Sequence, residues 1–226
     1  MTCFTLNGKA VISRSSPSTR LSDVLRSEMG LSGTKIGCNA GDCGACSVLL
    51  DDAPICSCLT TVAQVGGAKV TSIEGLNAEN IISKLQESFL AHGAAQCGIC
   101  TPGMMVAAHA LLNKNPTPNR RDVEDALGGV LCRCTGYGKI IEAVLAVNLD
   151  MPARSSPKVG CSVGIPIRHL DGQSKVDASL LYGDDAAPQD SVMVRVIRSP
   201  HHYASFKIGD KAAFLSNHPE IMAVLD

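Results

Sequence analysis

Eight of the eleven cysteines fall into two sets of four. Cys38, Cys43, Cys46 and Cys58 lie within GCNAGDCGACSVLLDDAPICSC, and Cys97, Cys100, Cys132 and Cys134 lie within QCGIC and, further on, LCRC. The first set has the C-x4-C-x2-C…C spacing that can hold a [2Fe–2S] cluster. Gly37, Gly41 and Gly44 suit a tight loop, because glycine reaches positive φ at little cost. The backbone N–H groups of such a loop can point at sulfur, which helps to set a cluster's potential. The second set is less specific, since C-x2-C followed by a distant C-x-C fits iron–sulfur or a structural zinc site. Its place beside the first set favours iron. The first pattern calls for one-electron chemistry.

Composition narrows the setting. The chain has 226 residues, a formal net charge of −1 and 45% hydrophobic residues, enough for one or two compact domains. Lys and Arg are balanced by acids and are not clustered, so no nucleic-acid partner is expected. No apolar run approaches the roughly 20 residues of a membrane span, and no membrane association is expected. The N-terminal MTCFTLNGKAVIS alternates like a strand and lacks a signal-peptide pattern. An odd number of cysteines in tight pairs fits metal ligation in the cytoplasm better than secreted disulfides. The chain has no Ser/His/Asp arrangement, phosphate loop or G-x-G-x-x-G before a helix, so no catalytic residue is expected in it.

The fold class expected is α+β in three parts. Residues 1–75 read as a β-grasp, ferredoxin-like domain. Asn7-Gly8 between Cys3–Leu6 and Ala10–Ile12 signals a type I′ hairpin, and Leu21, Val24, Leu25 and Met29 mark a helix that Ser18 or Thr19 would cap. Strands follow at Ser47–Leu50 and Lys69–Ile73. Residues 76–150 read as four helices around the second cysteine set. Ile81, Ile82, Leu85, Phe89 and Leu90 form one apolar face; Thr101 and Pro102 suit N-cap and N1 of the next helix, Asp122–Leu131 is a third, and Ile140–Val147 a fourth capped by Thr135. Residues 151–226 open with a linker, Met151–Pro157, and contain a strand at Val192–Ile197.

TKIGCNAGDCGACSV, AAQCGICTPGMMVAAHALL and ALGGVLCRCTGYGKIIEAV resemble the iron–sulfur part of molybdenum hydroxylases, the family of xanthine dehydrogenases, aldehyde oxidoreductases and nicotinate dehydrogenases. The resemblance covers roughly residues 2–150. It implies two [2Fe–2S] clusters on Cys38, Cys43, Cys46, Cys58, Cys97, Cys100, Cys132 and Cys134, with Gln96 and Cys134 against a molybdopterin cofactor. Val130 stands where the family usually has Asn, which leaves the ligands intact and puts a polar contact there in question. In the resembling enzymes electrons from hydroxylation of a carbon centre, with oxygen from water, leave singly through both clusters to FAD or another acceptor. The partners implied are a molybdopterin-binding large subunit and an FAD-binding subunit, in a dimer of heteromers. The substrate would be an N-heteroaromatic compound or an aldehyde.

VGCSVGIPIRHLDGQSKVDASLLYGDD and MVRVIRSPHHYASFKIG more loosely resemble the start of the large subunit. They imply a small α/β fragment of a molybdopterin-binding domain that a partner chain completes, through a rearranged gene boundary. Two other functions stay open on residues alone: a free-standing double-cluster ferredoxin and a zinc-stapled interaction module. Cys3, Cys56 and Cys161 read as free thiols, with Cys56 an alternative ligand to Cys58. His109 reads as a packed residue, His201-His202 as a turn or interface, and Arg133 as either a tuning charge or a surface ion-pair partner.

Overall fold

A computed structural model describes residues 1–77, 79–149, 157–165, 167–188 and 190–225. The Asn7-Gly8 signal forms its hairpin: β1 (Thr2–Leu6) and β2 (Lys9–Ser13) pair antiparallel, with φ of 50° and 77° at the two turn residues. Asn7 also reaches across the fold, accepting from the Ser72 N–H at 2.9 Å. A second hairpin joins β3 (Ser47–Leu50) and β4 (Ala53–Cys56) through Asp51 and Asp52, both at positive φ. The short β5 (Lys69–Thr71) completes a sheet of order β2-β1-β5-β3-β4, parallel to β1 and antiparallel to β3.

The helix packed on this sheet, α1 (Leu21–Asp23), runs straight into a wider π-type turn at Val24–Glu28. Leu21, Val24 and Leu25 are buried against Phe4, Leu6, Val48, Val62, Val65 and Val70. Full burial of a side chain of this size contributes about 1.5–3 kcal/mol. Neither Ser18 nor Thr19 caps the helix. Its first N–H groups instead donate to the Thr60 and Ser57 carbonyls, so the loop leading to and from Cys58 does the capping. The strand expected to reach Ile73 stops at Thr71, and Ile73 opens a helical turn, α2 (Ile73–Leu76).

Four longer helices follow: α3 (Asn80–His92), α4 (Thr101–Lys114), α5 (Arg120–Leu127) and α6 (Tyr137–Leu145). The period-3.6 apolar face of α3 is buried as expected, and the helix ends on Gly93 at a left-handed φ of 63°. Helix α4 is central. Every residue from Thr101 to Ala110 is buried, between α3, α5 and strand β3. Asn119 and Asp122 cap α5 reciprocally. Two expected caps differ: Cys100 occupies the N-cap of α4, one residue before Thr101, and Gly136 that of α6, because Thr135 turns back at φ 55°.

By its internal packing the chain falls into two compact units. One compact unit runs from Met1 to Ala186 and the other from Ala187 to Asp226. The first therefore includes α7 (Gly172–Val176) and a 3₁₀ turn at Gly183–Ala186, with Val176 and Ala178 inside the core of the helical part. The second contains α8 (Lys211–Asn217), capped by Asp210. The strand expected at Val192–Ile197 is absent among the described residues, where that segment lies exposed with no neighbouring strand to complete a ladder. Of the expected linker, Met151–Ser156 lies outside the described residues. No helix among them is long and apolar enough to cross a membrane.

Candidate metal centres

The first cysteine loop wraps its own sulfurs in N–H donors. The amides of Ala40, Asp42 and Cys43 each donate to Cys38 Sγ at 3.3 Å. The Cys38 amide donates to Cys43 Sγ and the Gly41 amide to Cys58 Sγ, again at 3.3 Å. Asn39, Gly41 and Gly44 take positive φ to make this possible. A Cβ on Gly37 would stand 2.8 Å from Cys43 Sγ, so a larger residue would fill the cradle. The N–H donors, Ala40 foremost, pull the exposed Cys38 thiol down to about 6. Burial instead raises that of Cys58.

Cys56 faces the other way. Its thiol points at the Gly41 carbonyl, 3.9 Å away, and burial raises its pKa. A carbonyl oxygen repels a thiolate, whereas Cys58 meets the N–H of the same glycine. This contrast favours Cys58 as the fourth ligand.

The second set stands at helix junctions, as its spacing suggested. Cys97 and Cys100 precede α4, while Cys132 and Cys134 lie between α5 and α6. Gly136 N–H donates to Cys132 Sγ at 3.4 Å, and the Tyr137 hydroxyl accepts from the Cys132 amide at 2.7 Å. Burial drives the Cys100 thiol up to about 12, helped by the neighbouring Cys132, and also raises Cys97. The Cys97 backbone lowers Cys134. Iron ligation requires all four as thiolates, so loading this set, in which Cys100 and Cys132 are buried and Cys97 is exposed, must release protons. Gln96 is exposed beside it, its Nε2 3.3 Å from where a Cβ on Gly136 would sit.

Among the described residues no three His, Cys, Asp or Glu converge as ligands of one metal ion. The thiols pair instead: Cys38 with Cys43, Cys46 with Cys58, Cys97 with Cys134, and Cys100 with Cys132. Cys56 also touches Cys46, and Cys134 also touches Cys132. A [2Fe–2S] rhomb takes two thiolates on each iron, so paired sulfurs lined by N–H donors suit it.

The two sets meet backbone to backbone. The Cys43 carbonyl accepts from the Leu131 amide at 2.9 Å, one residue before Cys132. A Cβ on Gly44 would lie 2.1 Å from the Gly129 carbonyl oxygen, and one on Gly103 would lie 2.5 Å from that of Gly44. Val130, buried in this seam, touches Gly103 with an apolar side chain. The sequence marks Gly44 for loop geometry only. Its role and that of Gly103 in bringing the sets together depend on long-range packing that the sequence does not signal.

Among the other residues singled out, His109 is buried with Nε2 2.7 Å from a Glu79 carboxylate oxygen, a packed role. His201 and His202 are exposed.

The cradle and the pairing define a protein with two iron–sulfur sites. Residues 4–64 match the 2Fe-2S iron-sulfur cluster binding domain, and residues 72–145 match the [2Fe-2S] binding domain. The second match is to a [2Fe–2S] domain, not a zinc domain. The chain is 44% identical over 148 residues to a probable xanthine dehydrogenase subunit of Bacillus subtilis, covering 66% of this chain and 85% of that protein. It is 46% identical to the nicotine 6-hydroxylase small subunit of Paenarthrobacter nicotinovorans, covering 62% and 82%. The crystal structure of the aldehyde oxidoreductase from Desulfovibrio desulfuricans superposes with a TM-score of 0.73 at 36% identity, over 84% of this chain and 22% of that one. The chain belongs to the family of iron–sulfur subunits of molybdenum hydroxylases. It is an electron-transfer subunit of an oxidoreductase and binds two [2Fe–2S] clusters.

Proposed function

We propose that Cys38, Cys43, Cys46 and Cys58 hold one cluster and Cys97, Cys100, Cys132 and Cys134 the other, and that the pair forms a relay out of a molybdopterin site. When bound, each cluster takes up and releases one electron at a time. Residues 1–75 and 76–150 act as the two cluster domains in this reading, and 151–226 as a connector with the first piece of a molybdopterin-binding domain. The observation that carries the relay is the Cys43–Leu131 hydrogen bond. It offers a bonded route of few steps between the ligand sets, with no side chain interposed.

The chain's own residues do three things in this relay. The amides of Ala40, Gly41, Asp42 and Cys43 hold negative charge on sulfur. Burial of Cys100 and Cys132 shields one side of the inner site from water. Exposed Gln96 and half-buried Cys134 present a polar edge, and we assign them the contact with the pterin. In this reading the Cys97, Cys100, Cys132 and Cys134 set would face the molybdopterin, and the exposed Cys38 loop would face the acceptor. The acceptor would be FAD on another subunit or a different carrier, and the complex a dimer of heteromers with a large molybdopterin-binding subunit, in the cytoplasm. The substrate class is an N-heteroaromatic compound or an aldehyde, the former being nearer to the nicotine and nicotinate relatives.

Cys43→Ser in the purified complex tests the assignment. The variant is expected to lose the outer cluster's paramagnetic signal and to slow molybdenum reoxidation while substrate still reduces the enzyme. Normal steady-state turnover would refute the relay.

A further inference from the structure

No cysteine pattern points to residues 168–186, yet they form a strap across both cluster domains. Arg168 pairs with Glu87, and the Asp177 carbonyl accepts from Asn77 Nδ2 at 2.9 Å. The strap's far end is held by the first domain. Lys35, buried and three residues before Cys38, donates to the Leu180 carbonyl at 2.8 Å and lies 3.5 Å from Asp185, which Arg26 also engages. Between these anchors the strap lies on the second cysteine set. Tyr182 Oη donates to the Cys97 carbonyl at 2.5 Å. A Cβ on Gly98 would lie 2.3 Å from Tyr182 Oη and 2.8 Å from Lys175 Cγ.

Lys175 is the notable residue. Its side chain is only 9% exposed, against the Cys97–Cys100 turn, and its ammonium is 2.7 Å from a carboxylate oxygen of Asp171, whose side chain is 57% exposed. The matches to separate small subunits cover about two thirds of the chain, whereas the aldehyde oxidoreductase match covers 84% and so extends well past the helical domain.

We propose that the strap sets the reduction potential of the inner cluster through the buried charge of Lys175, with Asp171 as its partly exposed counter-charge. This rests on the ligand assignment made above. Reduction adds one negative charge to the site, and a cation held nearby in a low-dielectric environment favours the reduced form. Asp171 works against that effect, weakened by its access to water. Arg133, the cation that lies between two of the ligands in sequence, is exposed and so better screened.

The test is a redox titration of the intact iron-loaded protein followed by electron paramagnetic resonance, comparing Lys175→Met and Asp171→Asn with the unaltered chain. Methionine keeps an apolar stem against Gly98 and removes only the charge. Lys175→Met is expected to lower the inner couple's potential by on the order of tenfold in its one-electron equilibrium, about 59 mV. Asp171→Asn is expected to raise it, and the outer couple is expected to stay in place in both. Two unshifted couples, or shifts of the same sign in both variants as from general loosening, would overturn the inference and leave the ligand assignment standing. Failure of the unaltered protein to show two signals would overturn both.

Discussion

Gly44→Ala probes the seam between the two sites. Gly44 sits at φ 66°, and a Cβ there would stand 2.1 Å from the Gly129 carbonyl oxygen and 2.9 Å from Val130 Cα. Two costs add. The left-handed conformation disfavours any L side chain by roughly 1–2 kcal/mol, and a methyl forced against backbone costs about 1–3 kcal/mol more. Gly67 separates them, because it has a φ of 75° with nothing within 4 Å of its would-be Cβ. In a chain of this size 1 kcal/mol moves Tm by about 2–4 °C. Gly67→Ala should therefore lower Tm by ~2–8 °C and Gly44→Ala by ~4–20 °C, read at one fixed scan rate because such proteins unfold irreversibly. Gly44→Ala should also weaken the magnetic interaction between the reduced clusters, which Gly67→Ala should leave alone. Equal Tm losses with an unchanged interaction would refute the close approach of Gly44 to Gly129.

Three further outcomes are expected. Cys56→Ala should keep full iron content while Cys58→Ala loses the outer cluster, by iron assay and visible spectrum; the reverse would exchange their roles. Phe89→Ala, which opens a cavity at a fully buried position, should cost about 3–5 kcal/mol in urea unfolding of the apoprotein. Glu28 accepts from Ser13 Oγ, the Arg14 amide and Ser15 Oγ, which hold its carboxyl down to about 2 from an ordinary 4.5. A depressed pKa stabilises the fold above the unfolded value and is lost as pH falls through the folded one. Stability should thus fall more steeply between about pH 4.5 and 2 in the unaltered protein than in Glu28→Gln, by thermal scans across that range.

Much of this protein is written in short-range chemistry. The Asn7-Gly8 turn, the apolar face of α3, and the spacing of Cys38, Cys43 and Cys46 depend on neighbours a few residues away, so residue order alone settles them. Helix caps were less legible. α1 is capped by carbonyls of Ser57 and Thr60, which arrive from a distant loop and leave Ser18 and Thr19 unused. Val192–Ile197 is an apolar, β-branched run like a strand, but such a run supplies no partner, and no ladder forms among the described residues.

What only the tertiary structure decided is how the two sites meet and what surrounds them. Gly44 and Gly103 are 59 positions apart in the chain, yet their lack of side chains lets two backbones touch. Lys175 reaches the Cys97 turn because Val176 and Ala178 are buried in a core formed mainly by earlier helices. Sequence specifies the thiols and the turns that aim them. Close approach and burial of charge arise only when distant segments exclude water together, and no local pattern encodes that.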